Sequence, residues 1–107
     1  MGEDDKGGGL LGMAAQLRKL QKDLKEAQAA LADETVEARA GGGAVRVVMS
    51  GTQECRAVTV DLEWLGENNA ERLGELLCMA VNQAIRDSQS IAARRLGPLA
   101  KGLTGLG

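Results

Sequence analysis

Seven cations hold the most chemically suggestive spacing in this 107-residue chain. Arg18, Lys19, Lys22 and Lys25 form one group, and Arg86, Arg94 and Arg95 form another, with Lys101 beyond it. A phosphate backbone can be followed by positive charge at suitable intervals, without any base being read. If Leu10, Leu17, Leu24 and Leu31 occupy position a of a heptad, the first four cations fall at b, c, f and b, on the face opposite the leucines. The competing reading is a solvated outer face with local pairs such as Lys22 to Glu26. For the second group it is a set of cations favoured by the dipole at a helix end. Arg95 projects at the azimuth of an apolar stripe, beside Leu73 and Leu77. An unpaired arginine buried there is costly, so the end of this helix is expected to leave the core, with its arginines free for a partner.

Other chemistries lack their residues. There is no histidine, hence no His base, no Ser-His or Cys-His pair and no His-ligated metal. Cys55 and Cys78 make neither a disulfide framework nor a CxxC site. Each is expected to be a reduced, small, buried residue of a cytoplasmic protein. Asp61, Glu63 and Glu67 are close in sequence but belong to a charged, exposed connection, which argues against a metal or acid-base role. The glycines of residues 7–12 precede a helix but follow no strand, and no GxGxxG or GKS/GKT loop occurs. Trp64 is the only aromatic residue, so bases have no platform to stack on, which disfavours single-strand or RNA recognition. Arg39, Arg46 and Arg56 read as solvent-face strand residues. No catalytic set and no cofactor site is expected.

The elements that must position the cations follow from periodicity. Apolar residues at 10, 13, 17, 20, 24, 27 and 31 keep the 3-4 spacing of a helix over residues 10–31. Alternation then predicts strands at 35–40, 44–50 and 55–60, with Val45, Val47 and Met49 on one face and Val58 and Val60 on one face. Gly41-Gly42-Gly43 and Gly51-Thr52 supply tight turns, making an antiparallel meander with one buried face. Asn68 and Glu71 have the N-cap and N3 spacing of a second helix, predicted to stop at Gly97-Pro98. Its apolar residues sweep roughly 200°, wider than one sheet face requires. The seam of core or dimer is predicted at Leu10, Leu17, Leu20, Leu24 and Leu31 of the first helix and Leu77, Ala84 and Ile91 of the second. Residues 1–9 read as a flexible acidic, glycine-rich arm and 97–107 as a Gly/Leu tail around a single domain, 10–96.

Length and charge add two expectations. Residues A, V, I, L, M, F, W, Y and C make up 44% of the chain, yet Phe and Tyr are absent. A monomer of this size buries only about 65% of its unfolded surface, so a core of small aliphatics is expected to be completed by oligomerisation. At 1.5 Å per residue the two helices reach about 33 and about 42 Å, against a compact diameter near 34 Å, so the second helix should project beyond the body or extend along a dimer. The net charge of -2 conceals a polarity: residues 10–31 sum to +2 and 78–107 to +3, whereas 61–77 sum to -4. No run of about 20 apolar residues spans a membrane, and residues 1–9 lack the apolar segment of a secretory signal.

Taken together, Leu10-Leu11-Gly12-Met13-Ala14-Ala15-Gln16, the spacing Gly51, Cys55, Val58, Val60, Asp61, and Ala80-Val81-Asn82-Gln83-Ala84 closely resemble the YbaB/EbfC family of bacterial nucleoid-associated proteins. The resemblance covers roughly residues 7–96. It implies an α+β protomer of order α-β-β-β-α, with a three-stranded antiparallel sheet and two long helices, and an intertwined homodimer with projecting helices. It also implies double-stranded DNA as partner, the nucleoid as location, and DNA contact through the two helices. The chain departs from the family at Leu62, where proline is common, which should loosen that turn without changing the fold. The rival reading is a dimeric protein-interaction module, in which the leucine seam and tail meet another protein, such as one of replication or repair, and the basic faces only solvate.

Overall fold

The computed structural model describes residues 2–66 and 69–104. The order is α1 (Gly2–Asp33), β1 (Thr35–Ala40), a 3-10 turn (Gly41–Gly43), β2 (Val45–Ser50), β3 (Cys55–Val60), α2 (Leu62–Leu65) and α3 (Asn69–Thr104). The strands form one antiparallel sheet in the order β1-β2-β3. This is the expected α-β-β-β-α plan with one added turn of helix. Asp61 caps that turn, its Oδ1 accepting from Trp64 N at 3.3 Å. Leu62 therefore occupies the first helical position, where proline is favoured but not required.

The hairpin geometry follows from its glycines. Gly41, Gly42 and Gly43 take φ of 65°, 68° and 101°, a region in which a side chain is strained. A Cβ on Gly41 would also lie 2.6 Å from Leu76 Cδ1, and one on Gly42 2.8 Å from Trp64 Cζ2. The turn thus brings β1 and β2 under α3 and α2 together.

Alternation places Ala38 and Ala40 of β1 with Val45, Val47 and Met49 of β2 on the inner face, buried against Ala80 and Ala84 of α3. Leu73, Leu76, Leu77, Val81 and Ile85 flank this core. The small residues at 80 and 84 let the helix approach the sheet closely. Ser88 continues the same line one turn on. It is fully buried, and its Oγ donates to Ser50 O at 2.8 Å. Ser50 in turn organises the β2–β3 turn, its Oγ accepting from Thr52 N and Glu54 N.

The third strand is different. Val58 lies opposite Val47 in register, yet Val47 is fully buried and Val58 is 47% exposed. The expectation of a wholly buried sheet face therefore fails at β3. α3 packs on β1 and β2, and β3 leaves Ala57 and Val58 open, with Val60 half-buried.

Both helices exceed their predicted lengths. α3 runs through Gly97 and Pro98 to Thr104, so the predicted stop and the tail to that point are corrected. Pro98 removes one backbone donor, a local cost of about 3 kcal/mol, whereas an existing helix extends without the cost of a new nucleus. The same economy draws the residues read as an arm into α1, which begins at Gly2. Met1, the cap residue Asn68 and residues 105–107 lie outside the described residues. At 1.5 Å per residue α1 and α3 are about 48 and about 54 Å long. The chain measures 81 × 22 × 15 Å with a radius of gyration of 21.7 Å, against about 13 Å for a compact domain of this size. The chain is therefore elongated rather than compact.

Candidate nucleic-acid interface

Arg18, Lys19, Lys22 and Lys25 are all exposed on α1. The first, third and fourth are spaced i, i+4, i+7, so they form one stripe about 10 Å long. Lys22 Nζ lies 4.0 Å from Glu26 Oε1, at the outer limit of an ion pair, so the stripe keeps its charge. The leucine seam faces elsewhere and is graded. Leu31 is 2% exposed and Leu20 and Leu24 are half-buried, whereas Leu17 is 56% and Leu10 71% exposed. α1 touches α3, and the shelter this gives fades towards the start of α1. On α3, Ala84 is buried and Leu77 and Ile91 are half-buried.

The second basic group divides. Arg86 is exposed and donates to Gln83 Oε1 at 2.8 Å, while Gln83 donates to Asp87. Arg94 is exposed beside a cleft of about 340 Å³ lined by Glu34, Thr35, Ile91, Arg94 and Arg95. The side chain of Lys101 lies outside the described part of the structure.

Arg95 is not free. Its guanidinium donates to Glu34 Oε1 at 2.5 Å across 61 residues of sequence. The line of α3 that carries Ala80, Ala84 and Ser88 continues at helical spacing through Ile91 to Arg95, so the helix stays on the body. The expectation that it leaves the body is corrected, but Arg95 is not buried: it stays at the rim, 43% exposed, paired with a Glu34 side chain that is 38% exposed. The hydrogen bond from Arg95 holds the Glu34 carboxyl below the usual carboxylate range, against the opposing effect of desolvation, and Glu34 in turn raises Arg95. Glu34 Oε2 is shut away from solvent without a hydrogen-bond partner among the described residues.

Glu34 carries no signal in the sequence, because its partner is remote. Arg56 is similarly illegible. Expected on the solvent face, it donates to Ala32 O of α1 at 2.9 Å, where the exposed carbonyl end of a helix favours a cation. Arg39 and Arg46 do lie on the open sheet face, directly opposite each other, and share Glu37 Oε1 at 2.7 and 3.8 Å.

The two thiols overturn an expectation: Cys55 and Cys78 are both free and exposed, Cys55 because β3 is uncovered. Asp61 is used as a helix cap and Glu63 lines a shallow groove. Glu67 lies outside the described residues. Among the described residues no cluster of His, Cys, Asp and Glu can hold a metal, and no helix is long and apolar enough to cross a membrane.

The chain resembles known proteins over most of its length. The YbaB/EbfC DNA-binding family matches residues 6–103. A nucleoid-associated protein of Desulforamulus reducens is 42% identical over 97 residues, covering 91% of this chain and 92% of the relative. One of Mycolicibacterium vanbaalenii is 42% identical over 95 residues, covering 89% and 86%. A solved structure of an uncharacterized protein from Helicobacter pylori shares the fold, with a TM-score of 0.63 at 22% identity over 89% of this chain and 94% of that one. The chain thus belongs to the YbaB/EbfC DNA-binding family.

Proposed function

We propose that this protein binds double-stranded DNA with little base specificity, as a homodimer acting in the cytoplasmic nucleoid of a bacterium, in chromosome organisation or gene regulation. The observation that carries the reading is the exposed Arg18/Lys22/Lys25 stripe of α1, set apart from the sheltered leucines. Arg94 adds a cation on α3. Such a surface contacts phosphates, which position a protein on DNA without reading sequence. The names of the relatives, nucleoid-associated proteins of bacteria, support the setting, and the family is named for DNA binding rather than for a reaction.

The dimer is supported by what one protomer leaves open. Val58, Leu10, Leu11, Met13 and Leu17 are large apolar side chains in solvent. A second copy presenting the same surfaces would cover them, with Leu10 and Leu17 in the interface. The same surfaces favour the rival reading, a second kind of protein partner. Light scattering on the purified protein, followed by pull-down from nuclease-treated extract, separates the two.

The DNA reading is tested by anisotropy of a labelled duplex of about 30 base pairs across about 25 to 150 mM salt. A net charge of -2 repels DNA weakly at long range, but screening confines that to about 8 Å at physiological salt. With four to seven phosphates neutralised by a dimer, log K should fall against log salt with a slope of about -4 to -6. Lys22→Gln with Lys25→Gln should flatten the slope by about 1 for each phosphate that is no longer neutralised. Absence of saturable binding at the lowest salt refutes the reading.

A further inference from the structure

We propose that Glu34 and Arg95 are positioning residues: their ion pair is a clasp that sets the direction of the basic stripe of α1 relative to α3, and Arg95 does not itself contact DNA. This rests on the DNA-binding reading and reassigns one of its cations.

The clasp belongs to a set of contacts at one place. Leu31 O and Glu34 O both accept from Gly51 N at 2.9 Å, Ala32 O accepts from Arg56, and Glu34 Oε1 accepts from Arg95. Each falls on the last turn of α1 or the residue after it. Farther along, α1 becomes progressively exposed up to Leu10. The helix is therefore a lever held mainly at one end. The Glu34–Arg95 ion pair ties that end to the far part of α3, in addition to the packing of α1 on α3, whereas Gly51 and Arg56 belong to the sheet and its turn.

The lever magnifies small rotations. Arg18 is 16 residues from Glu34 and Lys25 is 9, which is about 24 and about 13 Å along the helix. A rotation of about 10° at the clasp displaces Arg18 by about 4 Å and Lys25 by about 2 Å, enough to break a phosphate hydrogen bond of about 3 Å.

The chemistry of the pair argues against its opening on a phosphate. Glu34 Oε2 is enclosed without a hydrogen-bond partner among the described residues, so moving Arg95 away leaves this carboxylate, 38% exposed as a whole, without its nearest cation. Arg94, next in sequence and exposed, is free to serve DNA without that cost.

Two roles for Arg95 give opposite signs in one variant. Glu34→Gln keeps the shape and removes the charge. For a clasp, it should weaken binding to the labelled duplex by about three- to tenfold, the size of a typical coupling between touching residues. Arg95→Gln should do the same, the double variant should be no weaker than the weaker single, Arg95→Lys should recover part of the loss, and the salt slope should stay that of the parent. Were Arg95 a DNA contact, Glu34→Gln would release it and tighten binding, and Arg95→Gln would flatten the salt slope by about 1; that pattern overturns the proposal.

A second readout addresses the clasp directly. Spin labels at Gln21→Cys and Ser90→Cys, in a Cys55→Ser, Cys78→Ser background diluted with unlabelled protein, report the α1–α3 distance. Glu34→Gln should broaden it, and an unchanged distribution with unchanged affinity also overturns the proposal. If the parent does not bind DNA, the functional reading fails first and takes this inference with it, which distinguishes the two failures. Circular dichroism checks folding; should Arg95→Gln unfold, the near-isosteric Glu34→Gln still carries the sign.

Discussion

Gly51→Ala should loosen the root of α1, and the structure sets its size. A Cβ at this position would lie 2.8 Å from Leu31 O and 2.7 Å from Leu31 Cδ2. The leucine tip can rotate away, but the carbonyl oxygen is backbone and must move by about 0.6 Å to restore ordinary contact near 3.4 Å. That displacement stretches both bonds from Gly51 N, to Leu31 O and Glu34 O, now at 2.9 Å. Overpacking costs about 1–3 kcal/mol and a weakened hydrogen bond about 1 kcal/mol, together about 2–4 kcal/mol. For a domain near 100 residues this lowers the melting temperature by roughly 8–32 °C, at about 4–8 °C per kcal/mol. The control is Gly74→Ala in α3, where nothing lies within 4 Å of the new Cβ. That change should raise stability by about 0.5–1 kcal/mol, because alanine is the better helix former. Thermal melts followed at 222 nm, at one fixed protein concentration because assembly shifts the midpoint, give both values. A Gly51→Ala midpoint within 2 °C of the parent, or a fall for both variants, refutes the steric reasoning.

Further outcomes are expected from the same structure. Ser88→Ala removes the buried hydroxyl that donates to Ser50 O, which still accepts from Gln53 N, and should cost about 0.5–1.5 kcal/mol in denaturant unfolding, whereas Ser90→Ala, at an exposed site, should be near neutral. The Glu34 carboxyl is lowered by Arg95, so its contribution is present above the unfolded carboxylate pKa and is lost as pH falls through the folded value. The stability gap between parent and Glu34→Gln should therefore close on acidification through the carboxylate range, and a gap that widens there contradicts the assignment. Cys55 and Cys78 are both exposed in one protomer. In a dimer that covers β3, Cys55 should react with a thiol reagent more slowly as protein concentration rises while Cys78 does not; equal rates at all concentrations place the interface elsewhere.

The strands show what alternation can and cannot reveal. Val45, Val47 and Met49 are legible as a core face because a period of two puts them on one side of β2. Val58 obeys the same period and is open, since periodicity marks which residues share a side but not whether another layer covers it. The cations show the same division. Lys22 and Lys25 are exposed as the heptad implies. Arg95 shares the azimuth of a buried stripe but lies at its rim, 43% exposed and paired with Glu34, a partner that spacing does not reveal.

The sequence by itself determined the plan of two helices around a three-strand meander, the glycine turns, the separation of leucine seam from basic stripe, and the family. All of these depend on neighbours within a few residues, where spacing and backbone permissiveness act directly. The tertiary structure alone decided that α3 passes Gly97 and Pro98, that β3 is left uncovered, and that Arg56 and Arg95 are bound to the end of α1 rather than free. The last of these turns on groups 24 and 61 residues apart in the chain, and a charge reveals its role only when the group that answers it has been brought alongside.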